Sequence, residues 1–137
     1  MATVNGNNYG NIGATGDVSL VARGLWNSNI LVQCDEYEAS STASGTVINV
    51  AYLPKGAKFL GGKIIHDALG TGVTLQVGDS GDDDRYLAAA SAASAGTLNI
   101  EKIDGFQHEM TADTTIFLKT GGATAAGTIK TIIFYSL

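Results

Sequence analysis

Val73-Thr74-Leu75-Gln76-Val77 alternates apolar and polar side chains. It runs straight into Gly78-Asp79-Ser80-Gly81-Asp82-Asp83-Asp84. A period of two is the signature of a half-buried strand, and a Gly/Asp/Ser run after it reads as a loop. The same pattern repeats on both sides. Upstream, Ile30–Glu38 alternates loosely and is followed by a polar turn at Ser40–Ser44. A second strand carries Thr46, Val47, Ile48, Val50, Tyr52 and Leu53, and Pro54 with Gly56 stops it. Phe59–Ala68 is a third, in which Gly61-Gly62 predicts a bulge or a close approach of two backbones. Gly70 and Gly72 then make a turn into the quoted stretch.

Downstream, Arg85–Ala95 is ambiguous. Leu87 and Ala88–Ala90 favour helix, but the run is too short to hold one. A short strand or turn is expected there, with at most a turn or two of helix near Ala88–Ala93. Leu98–Ile103 and the β-branched Thr114–Thr120 read as strands, Phe106–Met110 as strand or loop, and Gly121–Gly127 as a loop. The last strand, Thr128–Tyr135, is apolar on both faces at Ile132-Ile133-Phe134, which places it inside a sheet. Roughly eight short strands at spacings of about ten residues predict an all-β sandwich, and a jelly roll of two packed sheets fits best.

Residues 1–28 differ from the rest. Asn and Gly dominate them, with Leu25 and Trp26 at their end. They are read as an extended N-terminal arm, and residues 29–137 as one β-sandwich domain. The N-terminus has neither a basic region nor an apolar stretch of the signal-peptide kind, and no run of membrane-spanning length follows.

Only 15% of the 137 residues are charged, against about a quarter in an average domain. A surface this poor in charge is expected to be hidden in an assembly. The net charge is −5, and Lys and Arg nowhere cluster. That excludes the basic footprint by which proteins hold nucleic acid or anionic lipid.

The chemistry-bearing residues are few. Cys34 is the single cysteine, so neither a disulfide within the chain nor a Cys-based zinc site is available. It is expected to be a small buried strand residue. His66 and His108 lie out of phase with their apolar neighbours, and are expected to face solvent or be hydrogen-bonded. No nucleophile elbow, Walker loop or dinucleotide fingerprint occurs. The one conspicuous cluster is Asp79, Asp82, Asp83 and Asp84. Dense carboxylates can ligate Ca²⁺, but the EF-hand order is missing. The loop is therefore expected to be a solvated turn whose Asp side chains cap backbone amides, with Arg85 as an ion-pair partner. No cofactor or catalytic residue is expected.

Two stretches resemble the head decoration (capsid cement) proteins of tailed bacteriophages. One is Tyr52-Leu53-Pro54-Lys55-Gly56-Ala57 followed by Phe59-Leu60-Gly61-Gly62. The other is Leu75-Gln76-Val77-Gly78-Asp79-Ser80-Gly81-Asp82, ending in Arg85-Tyr86-Leu87. The resemblance spans residues 45–135. It implies a β-sandwich on the outer surface of a virion capsid, made in the host bacterial cytoplasm. The implied partners are the major capsid protein and copies of itself, as a homotrimer that cements neighbouring subunits. Two other readings stay open: a phage tail, fibre or baseplate adaptor module, and a carbohydrate-binding jelly roll.

Overall fold

A computed structural model describes residues 2–5 and 29–137. The strands are β1 (Thr3–Asn5), β2 (Ile30–Thr42), β3 (Val47–Leu53), β4 (Lys58–His66), β5 (Thr74–Asp79), β6 (Asp82–Ser91), β7 (Gly96–Ile100), β8 (Thr114–Gly121) and β9 (Ala125–Ser136). No helix occurs among the described residues. One sheet has the order β1-β3-β8-β5-β6 and the other β2-β9-β4-β7.

The pairing shows how the chain is wound. β5 pairs antiparallel with β6, β4 with β7, β3 with β8, and β2 with β9. These are nested pairs, so residues 30–136 form one long antiparallel ribbon doubled back at Ser80-Gly81. Rolling that ribbon adds the contacts β5·β8 and β4·β9 and gives a jelly roll. β1 lies outside the scheme and pairs parallel with β3 at Val47–Asn49. Most of the expected arm over residues 1–28 lies outside the described residues; of the part described, Thr3–Asn5 contribute this strand.

Each strand follows from its alternation. Ile129, Thr131, Ile133 and Tyr135 of β9 are buried between the sheets. Its other row, including Ile132 and Phe134, is half-buried on the outer face. β9 lies between β2 and β4, as two-sided apolarity predicts. The core also holds Ile48, Leu53, Phe59, Ile64, Leu75, Tyr86, Ile116 and Leu118, all essentially inaccessible. Burial of each such side chain stabilises the fold by about 1.5–3 kcal/mol.

Gly61-Gly62 marks a bulge, as expected. The β4–β9 register shifts between Phe59 and Gly61. A Cβ at Gly62 would lie 2.2 Å from the Ile132 carbonyl oxygen. Two expectations change. The Ser40–Ser44 turn starts later, because β2 runs to Thr42 through an irregularity at which Ser41 adopts a φ of 50°. Gly78–Asp84 is not a loop, since only Ser80-Gly81 turn and the Asp residues belong to β5 and β6. Over Arg85–Ala95 the expected strand forms, because Leu87 and Ala90 take up a register against Val77 and Leu75. Pairing with β5 overrides the helical preference of Ala.

The sandwich is also closed along its sides. β3 extends beyond β1, and there the Gln33 side chain stands in for a strand. Its Nε2 donates to the Tyr52 carbonyl at 2.6 Å, and the Tyr52 amide donates to its Oε1 at 2.9 Å. On the opposite side the Lys102 amide donates to the Tyr86 carbonyl of β6 at 3.1 Å.

Candidate functional site

The sequence singles out the ribbon's tip, and the structure splits its four carboxylates. Asp79 ends β5 on the inward side and is buried, so it is not part of a solvated turn. Its Oδ1 accepts from the Gly81 amide at 2.9 Å and the Asp82 amide at 3.2 Å. That is the expected capping of a tight turn by an Asp side chain. Its Oδ2 accepts from Tyr86 Oη at 2.7 Å and from Arg85 Nε at 2.9 Å. The Arg85 contact is the ion pair expected from the sequence. The Tyr86 ring packs on Phe59 with centroids 4.3 Å apart.

Asp82, Asp83 and Asp84 come together instead, with one carboxylate oxygen from each lying within 4.8 Å of the other two. Two already have cations. Lys119 Nζ sits 2.6 Å from Asp83, and Lys102 Nζ 3.2 Å from Asp84. Asp82 Oδ1 accepts from the Asp84 amide at 3.2 Å. A Ca²⁺ ion would have to displace those lysines and would gain no ligand from Asp79. Thermal melts in EDTA and in millimolar Ca²⁺ should therefore share one midpoint. A clear rise with Ca²⁺ would mean that the ion binds the native state, against this expectation.

Burial alone would push the Asp79 carboxyl up. The hydrogen bonds from Tyr86, Arg85 and the Gly81 amide, with the charge of Arg85, outweigh it and hold the group below its ordinary value. Burial and the Asp79 carboxylate together push the Tyr86 phenol well above its ordinary value. The linkage to folding has opposite senses at the two ends of the pH scale. The Asp79 contribution is complete above about pH 4 and is lost as pH falls through its lower folded value. The Tyr86 contribution is complete below about pH 10 and is lost above it, where the unfolded phenol ionises first. Urea unfolding from pH 2 to 6 should show a shallower acid limb for Asp79→Asn than for the parent. Superimposable limbs would exclude Asp79 as the group responsible.

His66 is buried, with Nδ1 2.7 Å from the Asp67 carbonyl oxygen, and His108 stands edge-on to the Tyr86 ring. Both are thus held by neighbours. Cys34 departs from expectation: it is exposed, because β2 turns Ile30, Val32, Cys34, Glu36 and Glu38 outward.

That outward row belongs to a feature the sequence reading missed. On the outer face of the four-stranded sheet, Val32 lies beside Phe134, Cys34 beside Ile132, and Glu36 beside Lys130. From the other side Lys63 lies beside Ile132, and Ile65 beside Lys130. Val32 is 52% exposed and Ile65 57%. Successive outward rows along a strand are about 7 Å apart, so these side chains make one apolar patch bearing Lys63 and the ion pair of Lys130 with Glu36, at 3.5 Å. The consecutive Ile30-Leu31-Val32 was the available signal, since a strand with one solvated face has no use for three apolar residues in a row. Such a surface can bind another protein surface.

No protein-family model matches the chain, and no curated protein is recognisably similar in sequence. Solved structures are similar. A chain of the cyanophage Pam1 capsid asymmetric unit superposes with a TM-score of 0.70 and 27% identity, covering 82% of this chain and 87% of that one. A chain of the Ralstonia phage GP4 capsid gives 0.62 and 20%, covering 81% and 84%. One from the acidic stable capsid of Helicobacter pylori bacteriophage KHP30 gives 0.60 and 17%, covering 79% and 87%. The phage likeness read in residues 45–135 is met by the fold: over most of its length this jelly roll is similar to chains of phage capsid structures.

Proposed function

We propose that this chain is a non-enzymatic structural protein of a phage virion. In this reading it binds the outer surface of the capsid as a decoration protein, bridges neighbouring shell subunits and acts as a homo-oligomer, a trimer. The observation that carries the reading is the match to the Pam1 capsid chain. It takes in 87% of that chain, so the neighbour is itself a chain of about this size and not one domain of a much larger subunit. The charge-poor composition and the exposed apolar patch support a life spent against protein surfaces. The buried groups at the ribbon tip are spent on holding the fold. No helix among the described residues is long and apolar enough to cross a membrane.

The test uses capsids of the encoding phage from which this protein has been omitted. Added protein should bind until it saturates at a copy number set by the shell's symmetry, and a reconstruction should show it outside the shell. Binding of only a few copies per particle would favour a tail or baseplate part. No binding at all would remove the capsid role.

A further inference from the structure

β1 stands apart from the other strands. Every other strand pairing among the described residues is antiparallel, while β1 lies parallel to β3 over Val47–Asn49. Its seat on β3 is built for three residues. The Val47 amide donates to the Ala2 carbonyl at 3.0 Å. Val4 packs against the core, and Asn49 Nδ2 donates to Asn5 Oδ1 at 2.8 Å. Farther along β3 the Gln33 side chain takes the amide and carbonyl of Tyr52. On the near side the chain turns, with the Gly45 amide donating to the Thr120 carbonyl at 2.7 Å. Gln33 and that turn bound the seat at both ends.

The connection from β1 to β2 is far longer than one copy needs. β2 faces β3 across the sandwich and runs against it, since Gln33 meets Tyr52 and Thr42 leads into the turn before Val47. The start of β2 therefore lies just past the level of Tyr52, while Asn5 sits beside Asn49. Along the strands that is about 20 Å, with about 10 Å more from one sheet to the other. Residues 6–29 join the two points, and a chain of that length spans up to roughly 80 Å. No other connection between described strands is as long. The longest of them, residues 101–113, is folded back on the domain, where Gln107 and Met110 pair through their backbones with Phe59 and Ala57 at 2.7 and 2.8 Å.

We infer that in the homo-oligomer β1 of each copy takes the β3 seat of the next copy, an inference that rests on the homo-oligomer reading above and supplies its contact. Within a single chain β1 takes its own β3. The contacts are the same in both arrangements, so exchange forfeits none of them and ties two copies together. β1 has three residues and one half-buried apolar side chain, so it leaves its own seat at small cost. Beside a neighbour, the tether presents the strand to the neighbour's seat at high effective concentration. Each copy gives one strand and accepts one, so the exchange is head-to-tail and closes as a ring. Backbone hydrogen bonds supply the affinity, and Val4 with the Asn5–Asn49 pair sets the register.

Asn5 and Asn49 can report which copy supplies the strand. They are register partners on adjacent strands, about 4.8 Å apart and within the span of a disulfide. Asn5→Cys and Asn49→Cys are combined in a chain whose single cysteine is removed by Cys34→Ser. After mild oxidation, non-reducing gels should show covalent trimers that dithiothreitol dissolves. Mixing the two single-site variants should give covalent dimers holding one of each, at least tenfold above either variant alone. Val4→Asp, with all cysteines native, should raise the dissociation constant of the oligomer at least tenfold. A strand seated on its own copy would leave that constant unchanged, and an unchanged constant would overturn the exchange. Internally cross-linked monomers alone, from a parent that sediments as an oligomer, would overturn the exchange but leave the oligomer reading standing. A parent that sediments as a monomer at every concentration would overturn both.

Discussion

Asp79→Ala should destabilise the fold by about 3 kcal/mol, at the low end of what is found when one member of a buried ion pair is removed, because Arg85 is only partly buried. The carboxylate accepts five hydrogen bonds, one from Tyr86, two from Arg85 and one each from the amides of Gly81 and Asp82. Alanine leaves the Tyr86 hydroxyl inside the core with only a long contact to Met110 Sδ, at 3.9 Å. It also removes the cap from the Ser80-Gly81 turn. That turn is where the whole ribbon doubles back, so its register is passed on to every nested pair. Tyr86→Phe deletes only the donor and should cost about 1–2 kcal/mol. Urea midpoints, read with an unchanged m-value, measure both effects. A loss below 1 kcal/mol for Asp79→Ala would show that the tip is not a stabilising node.

Gly122→Ala should cost at least about 3 kcal/mol, whereas Gly45→Ala should cost only about 1–2 kcal/mol. Both glycines have positive φ, +78° and +86°, so both substitutions carry the left-handed backbone penalty. They differ in what surrounds the new methyl. At Gly45 nothing lies within 4 Å. At Gly122 the Gly72 carbonyl oxygen lies 1.9 Å away, and backbone cannot swing aside as a side chain can. The turn before β5 and the turn before β9 would have to separate. β5 and β9 both border interior pairings, so the strain would reach both sheets. Paired chemical unfolding of the two variants isolates the steric part. Equal losses would mean that the two turns can part freely.

How far the sequence reaches is clearest at β9 and β2. Thr128–Tyr135 could be placed inside a sheet from the page alone, because apolar residues on both sides of a strand need cover on both sides. Gly61-Gly62 announced a bulge, and turn residues at short spacing announced a sandwich. Those readings are local. They depend on backbone preferences and on a period of two, which any stretch carries within itself.

Which side of a strand turns inward is not local. A period of two divides residues into two rows and does not say which row the other sheet will cover. In β2 the outward row holds Ile30, Val32 and Cys34, while the inward row holds Leu31, Gln33 and the buried Asp35. Hydrophobicity alone would have reversed them. The inward row is chosen because Gln33 must reach Tyr52 across the sandwich, and because β2 takes its register from β9. Asp79 and Asp82–Asp84 part for the same reason. They look alike in sequence, but the turn sends Asp79 towards Tyr86 and leaves the other three to solvent and lysines. Strand content and the sandwich were therefore determined by the sequence itself. The buried tip and the exposed apolar patch were decided by the tertiary structure, because only the packing of one sheet on the other chooses between two rows of a strand.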